Sequence, residues 1–411
     1  MTTQALTRRT FLGTSALALS PLVLPATVLG REGIAPNSKI TLGAIGINRR
    51  GGYVLQQMLA WPDVQCLAVC DIRADRRTAI KEQIGCATYR DFRDLLDCQD
   101  IDTVLIATGD HWHAHASIYA AQAGKDVYCE SPCGITIDLC QKLAETTRKC
   151  NTVFQGGTQR RSVKNFQFAA GLARDGKLGN IHTVHASISP LRCRYDWYSP
   201  QPLPDREEID WDLWLGPVPW RPYNRAYVLG NWRGHFDFDA GISKLATHTV
   251  DLCQWALDTD GDAPIRYGTE GNSCYATYRN GAKLVMRPDG WLGLGTCSVR
   301  FEGDEGWVET GDSGRIVVSS GSLRSEVRTL GDIPRGTDPT AHIRNFFDCV
   351  RTRQQPVCNA EVVASSHFVC HASVLSWMLQ RELTYVPVNA EFADVEANGM
   401  RIREWREPWS V

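Results

Sequence analysis

The chain has 411 residues, 43% apolar and 22% charged. That balance excludes a largely disordered polymer and predicts two or three domains. Its 44 basic and 46 acidic residues leave a net charge of −2, which gives no electrostatic footprint for nucleic acid. The 35 Gly and 19 Pro follow no period, so collagen-like and low-complexity architectures are excluded as well.

The amino-terminal segment carries Arg8-Arg9 directly before an uncharged apolar run from Phe11 to Leu29, interrupted by Pro21 and Pro25. This pattern resembles a twin-arginine export signal and predicts a periplasmic protein. The two prolines argue against a membrane-spanning helix. No clean cleavage site follows, so removal and retention as a tether both stay open. No later stretch reads as apolar enough to span a membrane. The 15 cysteines are scattered without a C-x-x-C pair, so they read as reduced core residues, and no metal site is expected. An exported dinucleotide protein must carry its cofactor tightly, because that compartment supplies none.

The elements alternate after a polar linker at 31–38. Strands are predicted at 40–45, 64–70, 103–107, 126–129 and 153–155. Helices are predicted from Gly51 and over 74–83, 92–96, 114–123 and 138–148. That alternation means βαβ units and a parallel sheet. Beyond residue 160 the pattern changes. Helices are predicted at 166–174, 244–257, 341–351 and 362–379, and alternating strand patterns at 181–189, 263–268, 273–278, 282–286, 293–301, 307–310 and 315–318. The predicted fold class is therefore α/β. Signal and linker occupy 1–37 and a Rossmann domain 38–160. An α+β domain with a large, mostly antiparallel open sheet occupies 161–411.

Gly46-Ile-Asn48-Arg49-Arg50-Gly51 sits between the first strand and its helix, where a dinucleotide fingerprint belongs. Asn48 replaces the middle glycine, and Asn tolerates a left-handed backbone better than most residues. Asp71 ends the next strand about 20 residues past Gly51, where a ribose-binding carboxylate is expected. Asp71 favours NAD, while Arg73, Arg76 and Arg77 beside it keep NADP open.

Three motifs follow in order: Ala107-Thr108-Gly-Asp110-His111-Trp112-His113, Gly124-Lys-Asp-Val-Tyr-Cys-Glu130-Ser131-Pro132, and Phe154-Gln-Gly-Gly-Thr-Gln159-Arg160-Arg161-Ser162. With Asp212-Leu-Trp-Leu-Gly-Pro217, His248-Thr-Val-Asp251 and His342-Ile-Arg-Asn-Phe-Phe, they resemble the Gfo/Idh/MocA oxidoreductases from residue 39 onward. The resemblance implies a bound nicotinamide dinucleotide, a sugar-like substrate and a homo-oligomer. It implies cofactor contacts from Thr108, Asp110, His111, Trp112, His113, Glu130, Ser131 and Gln159, with the histidine-rich segment as a loop against the nicotinamide.

Two positions depart from the family pattern. The strand-end Glu-Lys-Pro is Glu130-Ser131-Pro132, and the Asp one turn before the motif histidine is Lys244. Loss of a positioned acid–base group lowers rate by ~10²–10⁴. The family's NAD-dependent α-N-acetylgalactosaminidase branch also lacks that lysine, and Gly134-Ile-Thr136 and Thr247-His248 look similar to it. His248 is the expected acid–base residue. Lys244, on the same helical face, either replaces the missing cation or extends to solvent. Arg160, Arg161, Trp197, Trp232, Arg233, His235 and Thr247 are the expected substrate contacts.

The leading expectation is an enzyme: an NAD(P)-binding oxidoreductase acting on a carbohydrate hydroxyl with a tightly held cofactor. One alternative is an NAD-dependent glycoside hydrolase with no net redox change. The other is a non-catalytic sugar- or dinucleotide-binding protein.

Overall fold

The computed structural model describes residues 39–411, apart from 240, 242–243, 289–292, 320, 329 and 331–335; the side chains of Lys244 and Leu245 are also outside the described set. The expected export segment lies outside the described residues.

The first sheet holds β1 (Ile40–Ile45), β2 (Val64–Cys70), β3 (Ala87–Tyr89), β4 (Thr103–Ile106), β5 (Asp126–Cys129) and β6 (Phe154–Gly156), in the order β3-β2-β1-β4-β5-β6. Every pairing in it is parallel. This is the doubly wound order, which opens a binding crevice at the carboxyl ends of the paired strands β1 and β4, where their connections leave in opposite directions. The strands read as continuous apolar runs because both faces are covered; all four residues of β4 and of β5 are buried.

The second sheet has nine strands: β7 (Ile181–Ser187), β8 (Arg266–Glu270), β9 (Ser273–Thr277), β10 (Lys283–Arg287), β11 (Val299–Gly303), β12 (Gly306–Thr310), β13 (Ile316–Val318), β14 (Leu383–Val386) and β15 (Glu391–Phe392). Their order is β13-β12-β11-β7-β10-β9-β8-β14-β15. It is antiparallel except where β7 and β10 run parallel. Helices Lys164–Arg174, Lys244–Leu257 and Ala360–Leu379 pack on it. The last of these is long and apolar enough to cross a membrane, against the expectation for this region, but 67% of it is buried in the protein.

Carboxyl-terminal segments return to the first sheet. Ile343, Phe346 and Phe347 of helix Thr340–Thr352 share one apolar cluster with Leu42, Leu55 and Met58. Each such side chain contributes about 1.5–3 kcal/mol of burial. The fifteen cysteines are all free.

Candidate active site

The turn after β1 is built by two glycines. Gly46 has φ +81°, and a Cβ there would lie 2.7 Å from the Ala107 carbonyl oxygen; a Cβ on Gly51 would lie 1.9 Å from the Gly46 oxygen. The helix Arg49–Leu59 can therefore bring its amino terminus to the crevice only with these residues bare. Asn48 has φ −70° and makes no capping bond through its side chain, so its tolerance of a left-handed backbone is not called on. The Asp71 carboxylate is buried. It accepts from the Ile47 N–H at 3.1 Å, the Arg73 N–H at 3.0 Å and Arg76 Nη1 at 3.3 Å.

A cavity of about 550 Å³ opens above this turn. Gly46, Asn48, Arg49, Arg50, Asp71, Thr108 and His111 line one side, and Trp214, Val228, Leu229, Gly230, Trp232 and Arg233 the other. The bare cradle, the helix terminus and the acid at the strand end fit a nicotinamide dinucleotide. The three neighbouring arginines are already engaged: Arg73 with Asp75, Arg76 with Asp71, and Arg77 with the Asp71 carbonyl at 2.8 Å. None stands ready for a 2′-phosphate.

The histidine-rich segment is helical, not a loop: the helix runs Asp110–Gln122. Its first residue, Asp110, carries an acid at the positive end of the helix dipole. The three alternating histidines turn to separate surroundings. His111 Nε2 donates to the Trp214 carbonyl at 2.8 Å, and burial pushes its ring down to about 4. His113 Nδ1 donates to the Pro132 carbonyl at 2.8 Å, and burial lowers its pKa too. His115 packs edge-on to Trp405 in the core. Trp112 Nε1 donates to the Leu213 carbonyl at 2.9 Å while its ring packs on Phe92 and Trp409. The bonds from His111 and Trp112 fasten the short helix Trp211–Leu215, and the aromatic segment after it, over the cavity.

A second polar centre lies at the end of β5. Glu130 pairs with Arg50 at 3.0 Å, joining β5 to the first helix. Ser131 Oγ lies 3.2 Å from His248 Nε2, and Arg160 Nη1 lies 3.3 Å from the same nitrogen. Arg160 also donates twice to Asp312, from Nε at 3.1 Å and Nη2 at 2.9 Å, and the Thr296 hydroxyl bonds that carboxylate at 2.6 Å. The Gln159 amide oxygen, turned inward, accepts from Arg160 Nη1 at 3.1 Å and Arg50 Nη2 at 2.9 Å. Burial first, then the Arg160 and Arg50 charges, hold His248 well below the ordinary histidine pKa. Thr247 beside it is buried. The side chain of Lys244 lies outside the described residues.

Three expected substrate contacts are placed elsewhere. Arg161 is buried and grips Asp251 at 2.8 and 2.9 Å and Asp260 at 2.6 Å. Its donors hold the Lys244–Leu257 helix rather than a sugar. His235 is fully buried, stacked on Trp197 at 5.2 Å and packed among Tyr198, Tyr227 and Phe238. Trp197 is covered in turn by Arg221 at 4.2 Å, so His235 lies inside the aromatic insertion and the half-buried Trp197 packs against its core. Trp232 and Arg233, with the guanidinium 4.6 Å over the ring, line the dinucleotide cavity. Sequence reasoning missed Asp312 and Thr296. They come from loops flanking β11 and β12, far from Arg160 in the chain, and carry no local motif.

Residues 40–158 match the oxidoreductase family's NAD-binding Rossmann fold, and residues 191–411 match the same family's C-terminal alpha/beta domain. A myo-inositol 2-dehydrogenase of Thermotoga maritima is 28% identical over 144 residues, 35% of this chain and 43% of that protein. A glycosyl hydrolase family 109 protein of Saccharopolyspora erythraea is 32% identical over 168 residues, 34% of this chain and 37% of that one. The match thus spans less than half the length of either relative. In fold, the chain resembles the WlbA dehydrogenase of Chromobacterium violaceum, solved with NADH and UDP-GlcNAcA. The TM-score is 0.65 at 18% identity, covering 84% of this chain and 96% of that one. The chain belongs to the Gfo/Idh/MocA oxidoreductase family, with the NAD-binding Rossmann domain and C-terminal α/β domain that define it.

Proposed function

We propose that this protein transfers hydride between a carbohydrate hydroxyl carbon and a nicotinamide dinucleotide that it keeps bound between turnovers. The observation that carries the reading is the arrangement of strand ends. Those of β1, β2 and β4 line the dinucleotide cavity, and that of the adjacent β5 sets Ser131 against the buried His248. Family membership and a relative named for inositol oxidation support a polyol or sugar as substrate.

NAD, when bound, supplies the hydride acceptor. The chain does the rest. Asp71 receives the adenosine ribose hydroxyls, and the N–H groups at the start of helix Arg49–Leu59 meet the diphosphate. The substrate hydroxyl proton passes to the Ser131–His248 pair as hydride leaves the carbon. This reading has the protein working in the periplasm as a homo-oligomer. The arginine pair at its amino terminus supports the address, and cofactor retention suits a compartment with no free supply.

A second reading rests on a specific observation: serine stands where the family has lysine, and a relative is a family 109 glycosyl hydrolase. A hydrolase of that kind regenerates its cofactor within each turnover. Two measurements test both readings. Mass spectrometry of cofactor released from purified protein should show NAD(H). Absorbance near 340 nm should change when a polyol or sugar is added. Glycoside cleavage with no net absorbance change would transfer the assignment to the hydrolase, and protein devoid of dinucleotide would leave a sugar-binding role.

A further inference from the structure

Ser131 removes the cation that the family's lysine would bring to the end of β5, yet the structure holds a guanidinium there. We propose that Arg160, clamped by Asp312, is the positioning cation of this site: it fixes His248 as the neutral Nδ1–H tautomer, with the Nε2 lone pair held beside Ser131 as the receptor for the substrate proton.

The argument starts from what each group can do. A guanidinium N–H only donates, so the nitrogen that Arg160 Nη1 meets at 3.3 Å carries a lone pair. The imidazole proton is therefore on Nδ1. The Ser131 hydroxyl, 3.2 Å from the same Nε2, then shares that one lone pair with Arg160 Nη1 in a three-centre contact and leaves its own oxygen free to accept from a substrate hydroxyl. Protonating Nε2 would set two cations in contact, so the ring rests unprotonated. Arg160 cannot swing away. Two of its nitrogens are forked onto Asp312 at 3.1 and 2.9 Å, and Thr296 fixes that carboxylate at 2.6 Å. Arg160, Asp312 and His248 are all more than nine-tenths buried, which keeps water from screening the contact.

The other charged and titratable groups facing His248 do not compete for this role. Arg50 is paired with Glu130. His342 donates from Nε2 to the Gly156 carbonyl and accepts from Ser162 at Nδ1, so it is neutral. His367 Nε2 accepts the Cys133 N–H, so it is neutral as well. Among the described residues, Arg160 is the cation in contact.

The proposal rests on the hydroxyl-oxidising reading, in which the transferred proton goes by way of Ser131 to His248 Nε2 while the hydride pair goes to the dinucleotide. Its test separates the two. Histidine is labelled with nitrogen-15 in the whole, cofactor-loaded protein, and His248 is identified among the 10 histidines by its loss in His248→Gln. The ring should show a bare Nε2 and a protonated Nδ1 from pH 8 to pH 5. In Arg160→Met it should titrate within that range, and Arg160→Lys should restore the wild-type behaviour. Asp312→Asn, which loosens the fork without removing the charge, should lie between. With substrate, the acid limb of kcat/KM should move up by about 1–2 pH units in Arg160→Met and return in Arg160→Lys. A wild-type His248 with protonated Nε2, or one unchanged in Arg160→Met, overturns the proposal. The expected spectra with no turnover on any polyol support Arg160's role and count against the oxidoreductase reading instead.

Discussion

Asp71 uses one carboxylate for two tasks. On the proposed reading it presents an acid to the adenosine ribose, and it holds the glycine turn by accepting from the Ile47 and Arg73 N–H groups. Asp71→Ala is therefore expected to weaken NAD and to narrow the gap to NADP, since Arg76 loses its carboxylate and can meet a 2′-phosphate. The same change leaves a buried N–H without an acceptor, a loss of about 1–3 kcal/mol, so the melting temperature should fall as well. Titration with both dinucleotides checks the first effect and calorimetry the second; an unaltered NAD-to-NADP ratio would falsify the ribose assignment. Ser131→Lys looks at first like a restoration of the family pattern. Here the new ammonium would enter beside the His248 nitrogen already bonded to Arg160, with Arg50 close by. Like charges at that spacing repel. The variant is expected to lose activity by at least tenfold, and a clear gain in NADH formation would show that the guanidinium does not fill the lysine's role.

At the scale of elements, the buried parallel strands are legible because an apolar run bounded by turns has few other readings: the runs at 40–45 and 64–70 coincide with β1 and β2. The three residues of β3, the short β14 and β15, and the helices Gly321–Arg328 and Val395–Gly399 escaped because each is too brief or too exposed to show a period. Asp110-His-Trp-His lacks an amphipathic pattern because that whole first turn is enclosed between the sheet and the aromatic segment, so the helix was read as starting late. Ser131 and His248 stood out through motif order. The Arg160–Asp312–Thr296 clamp did not, because tertiary packing brings together residues with no spacing rule between them. Trp197 and Trp232 are legible as candidate sugar contacts, but the place of the aromatic stretch that holds them, residues 195–232, is not: Trp214 and Trp232 roof the dinucleotide cavity. The exposed Arg233, tied to the Gly230 carbonyl at 3.3 Å, lines that cavity, and on the proposed reading it would face the cofactor's phosphates. Arg233→Ala is expected to speed release of bound NADH by about tenfold, the equivalent of ~1.4 kcal/mol, and to leave the fold intact. Cofactor fluorescence after rapid dilution measures it; an unchanged release rate would mean the roof does not grip the ligand.

The whole molecule concentrates histidine in its interior, and this sets its response to acid. Burial holds His111, His342 and His367 at about 4 and His115, His185 and His371 at about 3. Each of these folded-state values lies below the unfolded value of about 6.5. As pH falls through 6.5 the unfolded chain takes up protons that the folded chain refuses, and each such ring removes about 1.4 kcal/mol of stability per pH unit. The contribution is complete above about 6.5 and is lost progressively toward 4 and 3. Asp251 works the other way. Burial raises it to about 6, so the folded state takes up that proton first and gains stability as pH falls. One carboxyl offsets one imidazole, and six imidazoles outweigh it. These rings are shared between both halves of the fold: His111 and His115 lie under the Rossmann sheet's cover, His185 on β7, and His367 and His371 in helix Ala360–Leu379. Acid should therefore unfold both sheets together and steeply. Melting temperatures taken by calorimetry at pH 8, 6.5 and 5 are expected to be nearly level over the first interval and to drop sharply over the second, with net proton uptake on unfolding at pH 5. A level profile down to pH 5 would show that these rings reach water before the fold gives way.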